Sequence, residues 1–150
     1  MNEFALIQKY FKKLTYNNPS ALNLNDDVFF DKKNNVVVSS DTYVEGVHFL
    51  DFRKPDLVIK KILRSSISDL YCKGVKPKFI FIGASGNKKS FSKKNLNLVY
   101  KSLNQEQKKY KIKLSGGDTT KSNKTTFTIT SLGYSKKIVR RNKCKNNDDI

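Results

Sequence analysis

Apolar residues in this chain recur at two spacings, and these predict helices that alternate with strands. Residues 4–14 carry apolar and aromatic side chains at helical spacing among lysines, which predicts an amphipathic helix. A second helix is predicted to begin at Pro55, because proline suits the first turn of a helix, and to stop at Gly74. A third helix is predicted from a Ser92 cap to about Tyr110.

The remaining apolar runs are short and predict strands. They cover residues 28–30, 36–41, 78–84, 112–114 and 125–134. The polar residues 32–35 predict a turn that joins the first two strands as a hairpin, and the last two strands form a second predicted pair. Hairpins at both ends imply antiparallel pairing, so the pattern favours an α/β fold with a mixed sheet flanked by helices over a doubly wound parallel sheet.

Length and composition favour one domain, and we assign residues 1–150, of which 37% are hydrophobic, to it. No apolar run approaches the roughly 18 residues that a membrane span needs, and no secretory signal is evident. Cys72 and Cys144 lie far apart and lack metal-ligand spacing. We therefore expect a reduced, cytoplasmic protein in which neither thiol is functional.

The charge of the chain raises a nucleic-acid alternative. Lysine and arginine outnumber aspartate and glutamate by 30 to 13, which gives a formal net charge of +17. Only Arg53, Arg64, Arg140 and Arg141 are arginines, however, and the planar guanidinium is the preferred contact for phosphates and base edges. A basic nucleic-acid-binding module thus stays the less favoured alternative, while the charge would still attract anionic metabolites.

Five of the ten aspartates stand at the ends of apolar runs, most of them beside glycine, serine or threonine. They are Asp26 and Asp27, Asp41 after Ser39 and Ser40, Asp69 after Ser68, and Asp118 after Gly116 and Gly117. Each alone is explained by turn chemistry or by a solvent-facing carboxylate. Together they suggest a phosphate site with Mg²⁺, which prefers oxygen ligands and is usually held by a few carboxylates plus substrate phosphates.

Other candidate chemistry is sparse. His48 is the only histidine, and a structural or solvent-facing role is the simplest interpretation of it alone. Cysteine, histidine and serine do not assemble into a nucleophilic triad. The sequence contains no GxxxxGK[ST] and no GxGxxG phosphate-binding motif.

Four segments, in their order and approximate spacing, resemble thiamine-monophosphate kinase. They are residues 25–27 (NDD), 39–49 (SSDTYVEGVHF), 68–70 (SDL) with Gly74 and Pro77 behind them, and 116–120 (GGDTT). The second block points to this kinase rather than to its relatives aminoimidazole ribonucleotide synthetase and selenophosphate synthetase. The resemblance covers essentially the whole chain.

The resemblance implies the amino-terminal, ATP-binding domain of the aminoimidazole ribonucleotide synthetase-like fold. It implies ATP-dependent phosphorylation of thiamine monophosphate to thiamine diphosphate, with several Mg²⁺ ions and without a protein nucleophile or general base. The implied metal ligands are Asp26, Ser39, Ser40, Asp41, Asp69 and Asp118. The implied ATP contacts are Gly117, Asp118, Arg141 and Tyr100, and His48 would contact thiamine monophosphate.

Two departures from the family pattern bear on these roles. Asn25 stands where the family has glycine, and Asn146 and Asn147 replace proline and glycine, which leaves Arg140 as an alternative to Arg141. The match covers only the amino-terminal half of the family's usual length, so we expect a fragment that lacks the carboxy-terminal domain. A homodimer formed through the sheet is implied, and a non-catalytic ATP-binding or dimerisation domain is the alternative function.

Overall fold

The computed structural model describes residues 2–141, which form a mixed sheet with two long helices on one face. The strands are β1 (Phe29–Asp31), β2 (Val36–Val44), β3 (Pro77–Gly86), β4 (Lys113–Lys121) and β5 (Thr126–Tyr134). The helices are α1 (Glu3–Leu6), α2 (Pro55–Cys72) and α3 (Lys93–Tyr110). Short π and 3-10 turns extend α1 to Thr15, and a further 3-10 segment covers Pro19–Leu24. The predicted mixed α/β fold is confirmed.

The sheet order is β1-β2-β5-β3-β4, with three antiparallel pairs and one parallel pair, β3 with β4. The predicted hairpin of the first two strands is confirmed: Phe29 pairs with Val38 and Asp31 with Val36. Both long helices also lie where predicted. The Ser92 hydroxyl accepts a hydrogen bond from the Asn95 N–H at 3.4 Å, and Gly74 ends α2 with φ +72°.

The second predicted hairpin is wrong, because β5 does not pair with β4 but lies between β2 and β3. The alternation in β5 explains this position: Phe127, Ile129 and Ser131 are buried on one face of the strand. A strand with such a face belongs in the middle of a sheet under a helix, whereas all nine residues of β4 are exposed and form an edge. Gly116 and Gly117 are also not a turn after a strand, since β4 continues through them to Lys121.

The core lies between the sheet and α2, with α3 packed against α2. Ile59, Ile62, Leu63, Ile67 and Leu70 of α2 are each at most 1% exposed. Their spacing places them on one side of the helix, as the sequence pattern predicts. Because α2 is anchored along this whole side, the positions of the side chains that it presents to β2 and β5 are fixed.

A bidentate ion pair joins α2 to α3. The Arg64 guanidinium donates to both carboxylate oxygens of Glu106, at 2.7 and 2.8 Å, and the Glu106 side chain is only 3% exposed. The paired arginine holds the pKa of Glu106 below its usual range although burial opposes this. A planar fork of this kind fixes the angle between the two helices as well as their separation.

The amino-terminal segment is helical, as predicted, but its apolar side chains stay outside the core. Phe4 is 67% exposed, Tyr10 54% and Leu14 78%. No helix among residues 2–141 combines the length and the apolar character that crossing a membrane requires.

Candidate functional site

An acidic cavity opens at the edge of β2, beside the point where its neighbour β1 begins. Since β1 pairs only as far as Val38, the following residues of β2 have no strand partner on that edge. The chain before β1, the start of α1 and the end of α2 surround the gap, which measures about 680 Å³. Its lining residues are Glu3, Phe4, Ile7, Gln8, Leu24, Asn25, Asp26, Asp27, Ser40, Asp41, Asp69 and Arg141.

Asp41 and Asp69 come together in this cavity from two different elements. Strand alternation places Asp41 on the same side of β2 as the buried Ser39 and Tyr43, which is the side that α2 covers. The Tyr43 hydroxyl donates to Asp41 Oδ2 at 3.3 Å. The Ser39 hydroxyl donates to Asp69 Oδ2 at 2.8 Å, so it links strand and helix.

The electrostatics of this carboxylate pair are unfavourable without a cation. Burial raises the pKa of Asp41, and the negative charge of Asp69 raises it further. Burial also raises the pKa of Asp69; the Ser39 hydrogen bond opposes this, the charge of Asp27 adds to it, and the charge of Lys73 opposes it slightly. Burial raises the pKa of Tyr43 to about 12, so its hydroxyl remains a donor at neutral pH. Two carboxylates held in this way favour a bound cation.

Asp26 has a different environment, because its charge is already compensated. Its Oδ1 lies 2.6 Å from Lys73 Nζ, and its Oδ2 accepts from the Arg141 backbone N–H at 3.3 Å. Burial alone would raise the pKa of Asp26, but these donors together lower it. Asp27, half exposed beside it, lies 3.5 Å from the Arg141 guanidinium and 3.8 Å from Lys73 Nζ.

The donor set suits magnesium held jointly with phosphate. Among residues 2–141 no three aspartate, glutamate, histidine or cysteine side chains lie close enough to hold a metal ion by themselves. The cavity instead offers the Asp41 and Asp69 carboxylates with the Ser39 hydroxyl beside them. Mg²⁺ commonly takes one or two carboxylates and completes its octahedron with water and substrate phosphates. The Ser40 hydroxyl turns away, since it pairs with the Thr130 hydroxyl at 2.8 Å on the opposite face of the sheet.

Asp118 and Gly117 lie apart from the acidic cavity. Asp41 pairs with Ile129, Ile129 with Ile82, and Ile82 with Gly117, so three strand spacings, about 14 Å, separate the two sites. Gly117 and Asp118 border a second cavity of about 700 Å³ between α3 and the edge of the sheet, lined mainly by apolar side chains. Its volume is within the usual range for a small-molecule site.

His48 and Tyr100 also lie outside the acidic cavity. His48 is exposed in the turn after β2, where its Nδ1 accepts from the Val44 N–H at 3.0 Å and its ring meets Tyr43 edge-on. Tyr100 projects from α3 and is 69% exposed. Arg141 lines the acidic cavity and Arg140 does not. Residues 142–150, which include Cys144, Asn146 and Asn147, lie outside the described part of the chain.

Sequence reasoning missed two residues that contact carboxylates of the acidic cavity, Lys73 at Asp26 and Tyr43 at Asp41. Tyr43 belongs to the resemblance block and shares a strand face with Asp41, so alternation was a usable signal. Lys73 carried no such signal. A lysine at the end of a helix is common because it favours the negative end of the helix dipole, and its partner Asp26 is distant in sequence.

Comparisons with known proteins agree with this architecture. The profile of the AIR synthase related protein, N-terminal domain, matches residues 23–135. The chain is 34% identical over 160 residues to the thiamine-monophosphate kinase of Buchnera aphidicola subsp. Schizaphis graminum, an alignment that covers 99% of the chain and 47% of the relative. It is 30% identical over 141 residues to the thiamine-monophosphate kinase of Haemophilus influenzae, covering 91% of the chain and 42% of the relative.

A solved structure supports the fold independently. AaThiL complexed with AMPPCP and TMP superposes with a TM-score of 0.81 at 23% identity, over 95% of this chain and 45% of that one. The chain therefore spans slightly less than half the length of the relatives it matches. It belongs to the AIR synthase related protein family, whose N-terminal domain it contains, and it is similar to the amino-terminal half of thiamine-monophosphate kinases.

Proposed function

We propose that this chain supplies the magnesium- and ATP-binding half of a thiamine-monophosphate kinase, which transfers the γ-phosphoryl group of ATP to thiamine monophosphate and forms thiamine diphosphate. The observation that carries the proposal is the Asp41–Asp69 pair, whose raised pKa values favour a cation, at the edge of a cavity. The similarity to thiamine-monophosphate kinases supplies the reaction class. Because of the same similarity to thiamine-monophosphate kinases, we also propose that the protein is cytoplasmic.

The chain's own residues would position and neutralise phosphates. Asp41 and Asp69 would hold magnesium, and the Ser39 hydroxyl would orient Asp69 for it. Bound magnesium would polarise phosphoryl oxygens and reduce the repulsion between two anionic reactants. Arg141 at the cavity wall would add positive charge. The acceptor is a phosphate that is already ionised, so no residue is needed as a general base.

Nucleotide binding would extend from the acidic cavity towards β4. Glycine at position 117 brings β4 close to the carbonyl of Ile82, and a glycine backbone also leaves room for a phosphate to approach. The apolar cavity beside Gly117 and Asp118 supports binding of the remainder of the nucleotide in this region. AaThiL was solved with AMPPCP, a non-hydrolysable nucleotide that makes a suitable probe. His48 as a contact to thiamine monophosphate and Tyr100 as a contact to ATP stay predictions.

Replacing Asp118 by asparagine should weaken AMPPCP binding at least about tenfold in the presence of Mg²⁺, because a carboxylate that would ligate the nucleotide-bound metal is lost. Isothermal titration calorimetry with and without Mg²⁺ measures this. Asp56→Asn, at the start of α2, is the matched control, because Asp56 lines neither cavity. If AMPPCP bound equally well without Mg²⁺ and to the Asp118→Asn variant, the assignment of this residue would be wrong.

We also propose that a second copy of the chain covers the face of the sheet opposite α2. On the three central strands this face carries threonine, serine and apolar side chains, with Ser40 paired to Thr130 and Thr42 to Thr128. Phe81 on the same face is 40% exposed. Uncharged side chains on this face of three adjacent strands are unusual in a chain of which 29% is charged, and they suit a self-complementary contact.

Thr130→Arg should convert the dimer to a monomer, because it would place two like charges in the centre of the contact. Light scattering coupled to gel filtration gives the mass directly. Asn97→Arg, on the exposed surface of α3, adds the same charge elsewhere and should leave the mass unchanged. A monomeric wild-type chain, or a Thr130→Arg variant that still dimerises, would refute this contact.

A further inference from the structure

The ammonium group of Lys73 is buried beside the acidic cavity, where it contacts Asp26. The residue is 6% exposed, and its Nζ lies 2.6 Å from Asp26 Oδ1, whose side chain is also 6% exposed. Lysine is almost never this deeply buried unless it is paired. The ammonium also lies 3.8 Å from Asp27 Oδ2, so one lysine lies beside two carboxylates, of which Asp26 is a predicted metal ligand.

The backbone holds Lys73 in this position. Lys73 caps the end of α2, where its N–H donates to the Leu70 carbonyl at 3.0 Å. Its own carbonyl accepts from the Val139 N–H at 3.1 Å, which ties the helix end to the chain that leads to Arg141. These backbone contacts fix the position of Lys73, and its side chain extends from there to Asp26.

An ammonium and a divalent cation compete for the same oxygen atoms. Mg²⁺ needs its ligand oxygens at 2.0–2.1 Å and demands near-ideal octahedral geometry. An Asp26 oxygen that accepts a charge-assisted hydrogen bond from Lys73 presents less negative charge to a metal, and the lysine charge repels a cation placed beside it. Asp41 and Asp69 make no ion pair with Lys73: the Tyr43 hydroxyl donates to Asp41 and the Ser39 hydroxyl to Asp69, and the charge of Lys73 reaches Asp69 only from a distance.

We propose that Lys73 acts as a fixed internal cation that takes the place of a divalent ion at Asp26, so that within the acidic cavity divalent ions bind at Asp41 and Asp69 and not at Asp26. The inference rests on the proposed metal-binding function and refines it. Asp26, a metal ligand by resemblance, becomes in this chain the counter-ion of Lys73. Removing the lysine charge should open an additional cation position at Asp26 and Asp27.

Binding of Mn²⁺ to the full chain, followed by the electron paramagnetic resonance signal of the free ion, tests this without any activity. Lys73→Met keeps the length of the side chain and removes its charge. We expect this variant to bind about one more Mn²⁺ ion than the wild type, or to bind the ion at least about tenfold more tightly, because the repelling charge is gone. Lys76→Met, which removes an exposed lysine from the same segment, is the control and should bind as the wild type does.

The double variant Asp26→Asn with Lys73→Met controls for misfolding. It replaces the buried ion pair by a neutral pair and so leaves no unpaired buried charge. We expect this double variant to bind as many Mn²⁺ ions as the wild type. Loss of an ion from it, or a Lys73→Met variant that binds as the wild type does, would overturn the role of Lys73 and leave the proposed function intact. A wild type whose Mn²⁺ binding is absent or insensitive to Asp69→Asn would instead refute the proposed metal site itself.

Discussion

Asp69→Asn should stabilise the chain in the absence of metal and abolish its stabilisation by Mg²⁺. The wild-type carboxylate is partly buried beside Asp41 and Asp27, and burial with like charges raises its pKa. Asparagine removes the repelled charge and can still accept the Ser39 hydrogen bond. A gain of roughly 0.5–2 kcal/mol in the free energy of unfolding at pH 7 is typical when such functional strain is relieved.

The dependence on pH follows from the direction of these shifts. A carboxyl whose pKa is raised on folding destabilises the folded state at every pH above its folded pKa, and this cost fades as the pH falls towards 3.8. Asp26 acts in the opposite direction, because its lowered pKa gives stability that is present above 3.8 and lost as the pH falls through its folded value. Asp69→Asn should therefore gain most at neutral pH and least in acid.

Urea unfolding at several pH values, with and without Mg²⁺, measures both effects. Saturating ligand at 100 times its dissociation constant adds about 2.7 kcal/mol to the wild type and nothing to a chain that does not bind. Asp56→Asn, at the start of α2 away from the cavity, is the control. An Asp69→Asn variant that is less stable without metal, or that keeps its response to Mg²⁺, would contradict the site as described.

Gly117→Ala should disrupt the edge of the sheet. A Cβ added at Gly117 would lie 2.7 Å from the carbonyl carbon of Ile82 and nearer still to its oxygen. These are backbone atoms of the neighbouring strand, so no side-chain rotation relieves the contact. We expect a loss of about 3 kcal/mol in the free energy of unfolding, at the upper end of overpacking effects, with β4 displaced from β3.

The control for this substitution is one strand away. At Gly83 an added Cβ would meet Thr128 Cβ at 3.7 Å, an ordinary van der Waals contact, so Gly83→Ala should cost much less. Urea midpoints rank the two variants, and AMPPCP binding then reports whether displacing β4 also removes the nucleotide. Equal stability of the two alanine variants would show that β3 and β4 do not approach as closely as described.

Local patterns predicted those parts of the fold that local interactions decide. The turn at residues 32–35 joins neighbouring strands, and the spacing of Ile59, Ile62 and Leu70 marks one face of a single helix. The place of β5 was not predictable in this way, because its pairing with β2 and β3 joins segments that are distant in sequence. The continuous strand through Gly116 and Gly117 was missed because glycine pairs usually mark turns.

The same division applies to the site. The positions of Asp41 and Asp69 at the ends of apolar runs, together with the family resemblance, predicted that they belong to one site, and the structure brings both into the acidic cavity. Their role as metal ligands stays a prediction. Whether Asp118 joins them depends on the number of strands in between, which only the sheet order reveals. The ion pair of Lys73 with Asp26 is likewise a tertiary contact without a sequence signature, and our proposal that Asp26 is not a metal ligand rests on it.

The central claim is that Asp41 and Asp69 hold a divalent cation which also contacts nucleotide phosphate. Pulsed electron paramagnetic resonance of Mn²⁺ bound to the chain with AMPPCP tests it directly, through the coupling between the ion and ³¹P. We predict a ³¹P coupling in the wild type that disappears in Asp69→Asn and persists in Asp56→Asn. Bound Mn²⁺ without ³¹P coupling, or a coupling that Asp69→Asn leaves unchanged, would contradict the account.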